Sequence, residues 1–199
     1  MASYLIYLAI IILIPIYAQI KVKSTYNRYT KVASSSRMTG AEVARKILDD
    51  NGLYNVHVEE TRGYLSDHYD PRSKVVRLSS ENYHGHSLSA TAVSAHEVGH
   101  AIQDQQDYAF LRLRHSLVPV ANIGSNLSWI LILIGFIAGA SNFVLFGIIC
   151  MLAAVLFQIV TLPVEFNAST RAMDQVVSLG IIRSDEEHKK KKVLNAAAL

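Results

Sequence analysis

Apolar and polar positions fall into blocks along this chain. Residues 4–20 form a first apolar run, and residues 116–164 a second that contains no Asp, Glu, Lys or Arg. A helix crossing a bilayer needs about 20 predominantly apolar residues. The first run is therefore long enough for one span and the second for two. Residues 118–138 and 143–162 would each make a helix about 30 Å long at a rise of about 1.5 Å per residue. The uncharged segment Gly139, Ala140, Ser141, Asn142 between them predicts a tight turn, so the long run is expected to be a helical hairpin.

The polar block shows shorter periods. Over residues 39–50, Thr39 and Glu42 form a capping-box pattern, Val43/Ile47 and Ala44/Leu48 make an apolar stripe, and Asn51-Gly52 is a stop signal. This predicts an amphipathic helix. Residues 56–58 alternate as a strand does. Tyr69, Asp70, Pro71, Arg72, Ser73 and Lys74 have turn chemistry and lead into Val75, Val76, Arg77 and Leu78, a β-rich run, so a small hairpin is expected. Residues 87–105 read as a helix unusually rich in small residues (Ser89, Ala90, Ala92, Ser94, Ala95, Gly99, Ala101), which predicts a central, buried position.

Charge sets the compartments. Of 19 Lys+Arg and 16 Asp+Glu in 199 residues, all lie within 21–114 or 165–199. Mean hydropathy is +0.24. Such segregation excludes a purely soluble chain. The block 21–114 is close to charge-balanced despite a pI near 8.9, so nucleic acid is not an expected partner. No basic residue precedes the first apolar run, whereas Lys21, Lys23, Arg28 and Lys31 follow it. That order fits an uncleaved anchor better than a signal peptide, with residue 21 onward in the cytoplasm. Two further crossings return the chain to the side it left, so 21–115 and 165–199 are expected to share the cytoplasmic compartment. Cys150 is the single cysteine, so any metal must be held by His, Asp or Glu. Four lysines at 189–192 read as a solvated helix end within reach of anionic lipid.

His96-Glu97-Val98-Gly99-His100 is a complete H-E-x-x-H. On a helix, residues i and i+4 share a face one turn apart, so both imidazoles can reach one zinc ion. Glu97, the next residue round, is placed to act as general base on a water made nucleophilic by that metal. The flanking Val93, Ser94, Ala95, Val98, Ala101 and Ile102 are uncharged, unlike the surroundings of two solvated histidines.

A catalytic zinc normally takes three protein ligands and keeps one open position. Asp104 lies eight residues from His96, about 12 Å along a helix, too far to share an ion. His84 and His86 precede the motif and remain candidates. Glu165 is the strongest candidate, because it follows the second span on the side that carries His96 and His100. Ala168, Ala172, Val176 and Leu179 give the next helix an apolar stripe suited to the small face around Ala95 and Gly99, and Gly180 is placed to end that helix.

These stretches, with Lys21–Tyr26, the sequence from Thr39 to Ala44, Asp67-His68-Tyr69-Asp70-Pro71-Arg72 and Leu162-Pro163-Val164-Glu165-Phe166, resemble the YugP-like membrane zinc metallopeptidases of bacteria over nearly the whole chain. The resemblance implies a zincin-type fold with Glu165 as third zinc ligand. It also implies that the strand from Val75 to Leu78 is an edge strand on which a peptide substrate pairs by β-addition. There are departures. Asn167 stands where some relatives have Asp, and Ser169 where many Glu-zincins place an Asp that orients a histidine. The group orienting the ligands is left open among Asp67, Asp70, Asn167 and Asp174. The chain also stops where relatives continue into a further span.

The expectation is a mainly α integral membrane protein with a small α+β zincin-like cytoplasmic domain. Residues 1–20 are the anchor, 21–115 the domain carrying the motif, 116–164 the hairpin, and 165–199 the helices completing the metal site. It would bind one Zn2+ through His96, His100 and Glu165 and cleave peptide bonds with Glu97 as base. Tyr69, Tyr83, His84, His86 and Arg171 are candidate oxyanion stabilisers. Two other readings fit the same residues: a membrane scaffold with a structural zinc site, and a zinc hydrolase of a non-peptide amide.

Overall fold

The computed structural model describes residues 2–182; the lysines at 189–192 and the expected start of a further span lie outside the described residues. The chain forms two compact units, Met1–Ile102 with Phe166–Leu199, and Gln103–Glu165.

In the first unit, α1 (Ala2–Thr30) contains the whole of the apolar run 4–20 and continues past it. The end of α1 is fastened by polar contacts. The Tyr26 hydroxyl donates to Asn82 Oδ1 at 2.9 Å, and Ser89 Oγ donates to the Tyr26 carbonyl at 2.9 Å. Burial, with Glu81 and Asp67 nearby, holds the Tyr26 phenol above its ordinary range.

The helix α2 (Gly40–Asp50) starts where its sequence pattern places it. Glu42 N–H donates to Thr39 Oγ1 at 3.1 Å and Thr39 N–H to Glu42 Oε2 at 2.8 Å, the reciprocal capping box. Those bonds hold the Glu42 carboxyl below its usual value, the backbone N–H of Thr39 contributing most. Val43, Ala44, Ile47 and Leu48 are fully buried, so the predicted stripe is the face that meets the core.

Three strands form one sheet: β1 (His57–Thr61), β2 (His68–Asp70) and β3 (Val75–Ser79), in the order β1-β3-β2. The expected hairpin is β2 antiparallel to β3, with Tyr69 opposite Val76. Asp70 builds its turn. It accepts from Arg72 N–H at 2.9 Å and, through its other oxygen, from Ser73 Oγ and Arg77. The Ser73 hydroxyl above all holds the Asp70 carboxyl well below the usual carboxylate range.

The expectation of an edge strand at Val75 to Leu78 is corrected here. β1 pairs in parallel along the other side of β3, from His57 opposite Val75 to Thr61 opposite Ser79. Both ladders of β3 are occupied, and Val75, Val76, Leu78 and Ser79 are buried. A near-continuous apolar run is the signature of a central strand, not of an exposed edge.

After the short α3 (Ser80–His84), α4 (Leu88–Gln105) runs through the core, where Leu88, Ala92, Ala95, Val98, Ala101 and Ile102 join Val43, Ile47, Leu78 and Val176. Ser87 precedes it, and its hydroxyl accepts from Ala90 N–H at 3.1 Å. The C-terminal part of α6 (Ser141–Ser178) contributes Ala168, Ala172 and Val176, all fully buried. Gly180, at φ +60°, ends α6. Its N–H donates to the Val177 carbonyl and the Ile181 N–H to that of Val176, the paired bonds of a Schellman cap.

The second unit is built on the hairpin of α5 (Ala109–Ala138) and the first part of α6. Both helices are long and apolar enough to cross a membrane. The turn is shorter than expected: only Gly139 and Ala140 separate the helices, because Gly139 takes φ +64° and Ala140 N–H closes onto the Gly135 carbonyl. The break expected after the second span is absent. α6 continues through Pro163 as one helix, and Gln103 Nε2 donates to the Val164 carbonyl beside it at 2.8 Å.

Small residues let the two helices meet. A methyl group on Gly124 would lie 2.8 Å from the Cys150 carbonyl oxygen, and one on Gly147 2.9 Å from that of Ser128. The outward faces carry Trp129, Phe136, Ile137 and Phe146, all exposed. This is the pattern of helices that associate through backbone proximity and present large apolar side chains to lipid. Gly124→Leu should therefore separate the hairpin, and thermal unfolding in detergent should show a midpoint lowered by several degrees, with overpacking of about 1–3 kcal/mol as its cause. An unchanged midpoint would contradict this packing.

Candidate metal centre

The helix α4 is central because its residues are small, and this brings the H-E-x-x-H into the interior. His96, Glu97 and His100 are all buried. The two imidazoles lie edge to face with centroids 4.8 Å apart, as i and i+4 side chains on one helical face must.

The second set of side chains comes from α6. A methyl group on Gly99 would lie 2.5 Å from the carbonyl oxygen of Ala168. Gly99 thus permits an approach of α4 and α6 that no other residue would allow. Ser169 is the immediate neighbour of Ala168, and its Oγ lies 3.1 Å from His96 Nδ1 in a buried hydrogen bond. Glu165 stands one turn before Ser169 on the same uninterrupted helix.

Ligand atoms of His96, His100 and Glu165 lie within 4.8 Å of one another. Tetrahedral bonds of 2.0–2.1 Å ask for neighbouring donors about 3.4 Å apart, so binding an ion would draw these atoms closer together. Two imidazole nitrogens and one carboxylate oxygen form a donor set suited to zinc, and three protein ligands leave a position open. The residues present therefore fit the ion.

Other candidates lie elsewhere. His84 Nε2 is 3.2 Å from Glu60 Oε2, and His86 Nδ1 is 2.7 Å from the Arg37 carbonyl, both exposed. Neither joins His96 and His100. Glu60 is held below its usual carboxylate value, first by the Ser80 side chain and then by His84. Among the four residues considered for orienting the ligands, Asp67 accepts from Ser79 N–H and Asn82, Asp70 belongs to the β2–β3 turn, and Asn167 Oδ1 accepts from Arg171 Nε at 2.7 Å. Ser169, outside that set, is hydrogen-bonded to His96. It was discernible in the spacing, since it stands four residues after Glu165. Of the candidate oxyanion stabilisers, Tyr69 and Tyr83 pack against the core. Sequence reasoning also passed over Arg114, whose Nη2 lies 3.8 Å from Glu165 Oε1.

Residues 4–199 match the family described as "putative neutral zinc metallopeptidase". The chain is 55% identical over 183 residues, 92% of its length and 81% of the relative's, to a Bacillus subtilis (strain 168) protein named "Putative membrane protease YugP". No solved structure matches. The chain belongs to this zinc metallopeptidase family.

The close approach at Gly99 yields a direct test. Gly99→Leu should push Ala168 away and reduce bound zinc in purified protein to well below one equivalent, while far-UV circular dichroism stays helical. Retention of a full equivalent would show that the approach is not needed for the site.

Proposed function

We propose that this member of the family is a multi-pass membrane zinc endopeptidase whose active site lies beside the cytoplasmic surface of the cell membrane. The observation that carries the reading is the convergence of His96, His100 and Glu165 next to a buried Glu97. A structural zinc site needs no base beside its ligands and usually closes its fourth position.

A zinc ion held by these three residues would supply Lewis-acid activation of water and of the scissile carbonyl. Glu97, the residue after His96 on α4, takes the proton of the attacking water on a carboxylate oxygen. It then gives that proton to the amine nitrogen as the C–N bond breaks. Donation of His96 Nδ1–H to Ser169 Oγ fixes the tautomer and the ring plane, which would leave Nε2 as the nitrogen available to hold the ion. Burial of the three α4 side chains keeps bulk water from competing and strengthens each charge interaction.

Residues 1–20 act as the anchor and 116–164 as the hairpin, with 21–115 and 165–199 in the cytoplasm, following the basic residues after the first apolar run. Because Glu165 directly follows the uncharged run, membrane-proximal segments of other proteins are the favoured substrates. With β3 central, an extended peptide adding to the sheet would use the outer side of β1 or β2.

Glu97→Gln tests the mechanism. The variant should keep its zinc and lose roughly 10²–10⁴-fold in the hydrolysis of an unfolded protein substrate, the usual contribution of a positioned acid–base group. Full proteolysis by that variant would remove the mechanism, and zinc binding by a wild-type protein inert towards every peptide substrate would favour the scaffold.

A further inference from the structure

The chain carries no Asp, Glu, Lys or Arg between Arg114 and Glu165. These two residues are the last charge before the uncharged run and the first after it. The hairpin brings them together: Arg114 Nη2 lies 3.8 Å from Glu165 Oε1, with side chains 30% and 19% exposed. Arg114 Nε is buried and has no hydrogen-bond partner among the described residues. Arg112, two residues earlier, pairs instead with the nearby Asp107 on an open surface. Arg114 is therefore committed to a partner far along the chain and half withdrawn from water, where an unpaired charge is costly.

A carboxylate has two oxygens, and a single-ion site of two imidazoles and one carboxylate uses one of them. We infer that Arg114 is a positioning residue for the metal centre: its guanidinium holds one oxygen of Glu165 and turns the other towards His96 and His100. The inference rests on the reading of Glu165 as a metal ligand and adds to it the group that orients that ligand. Arg114 acts on the carboxylate as an ion-pair partner at 3.8 Å, where Ser169 acts on His96 through a hydrogen bond. Outer partners of this kind typically change metal affinity by roughly 10- to 100-fold when removed. A guanidinium is suited to the task because it is permanently charged and presents a rigid fork of donors, whereas lysine offers a point charge on a flexible stem.

The test is a double-mutant cycle read by zinc affinity, measured by competition with a chromophoric chelator on the full chain in detergent. Arg114→Ala should weaken zinc binding roughly 10- to 100-fold, and Arg114→Lys by less. In a Glu165→Ala background, Arg114→Ala should change the affinity by no more than about twofold. At saturating zinc, Arg114→Ala should recover most of its kcat. Should Arg114→Ala fail to purify folded, as judged by circular dichroism without zinc, Arg114→Gln and Arg114→Lys serve in the same cycle. Unchanged or tighter zinc binding in the single variants would overturn the inference. So would an equal loss in the Glu165→Ala background, or a lost kcat with intact affinity, which would mark contact with substrate instead. A wild-type protein that binds no zinc would instead overturn the metal reading of the site, a result distinct from all of these.

Discussion

The backbone of α4 at Gly99 lies against the backbone of α6 at Ala168, and the arrangement of the candidate site depends on that approach. Each helix carries a pair of polar residues four apart: His96 and His100 on one, Glu165 and Ser169 on the other. In each pair the intervening residue at the contact is small. A hydrogen atom at Gly99 and a methyl at Ala168 keep the helices close enough for imidazole and carboxylate to meet. Every ångström of separation would lengthen the span that a metal with bonds near 2 Å has to bridge. The apolar stripe Ala168, Ala172, Val176, fully buried, supplies the area that holds α6 in place.

A second constraint comes from the uncharged run. No charge stands between Arg114 and Glu165, and the ion pair they form joins the same two helices, α5 and α6, as the small-residue seam at Gly124 and Gly147. α6 then passes without a break from its apolar stretch to the turn carrying Glu165 and Ser169, and Gln103 secures the carbonyl of Val164 beside Glu165. A rigid helix gives a ligand a better-defined position than a loop would.

Much of this was legible in the amino-acid sequence because it rests on local patterns. The capping box at Thr39 and Glu42, the cap at Gly180 and the spacing of the H-E-x-x-H are decided within a few residues. The hairpin was legible because charge is absent from so long a run. What escaped was non-local. The edge expectation for Val75 to Leu78 rested on the family resemblance, and the parallel partner that makes β3 central lies on β1, outside the run itself. α6 runs on through Pro163 where a second span and a separate next helix were expected, proline being tolerated inside a helix where neighbouring groups satisfy the backbone. Ser169 and Arg114 were passed over for opposite reasons. One is a small neutral residue where acids were sought, and the other finds its carboxylate across a hairpin whose register no short pattern records.

X-ray absorption spectroscopy of the zinc-loaded protein reads the shell around the ion itself. The expected shell is four-coordinate, of nitrogen and oxygen donors at about 2.0–2.1 Å with the multiple scattering of two imidazoles, falling to one imidazole in His100→Ala and losing one oxygen in Glu165→Ala. A shell with three or more imidazoles in the native protein, or one unchanged by loss of the Glu165 carboxylate, would contradict it.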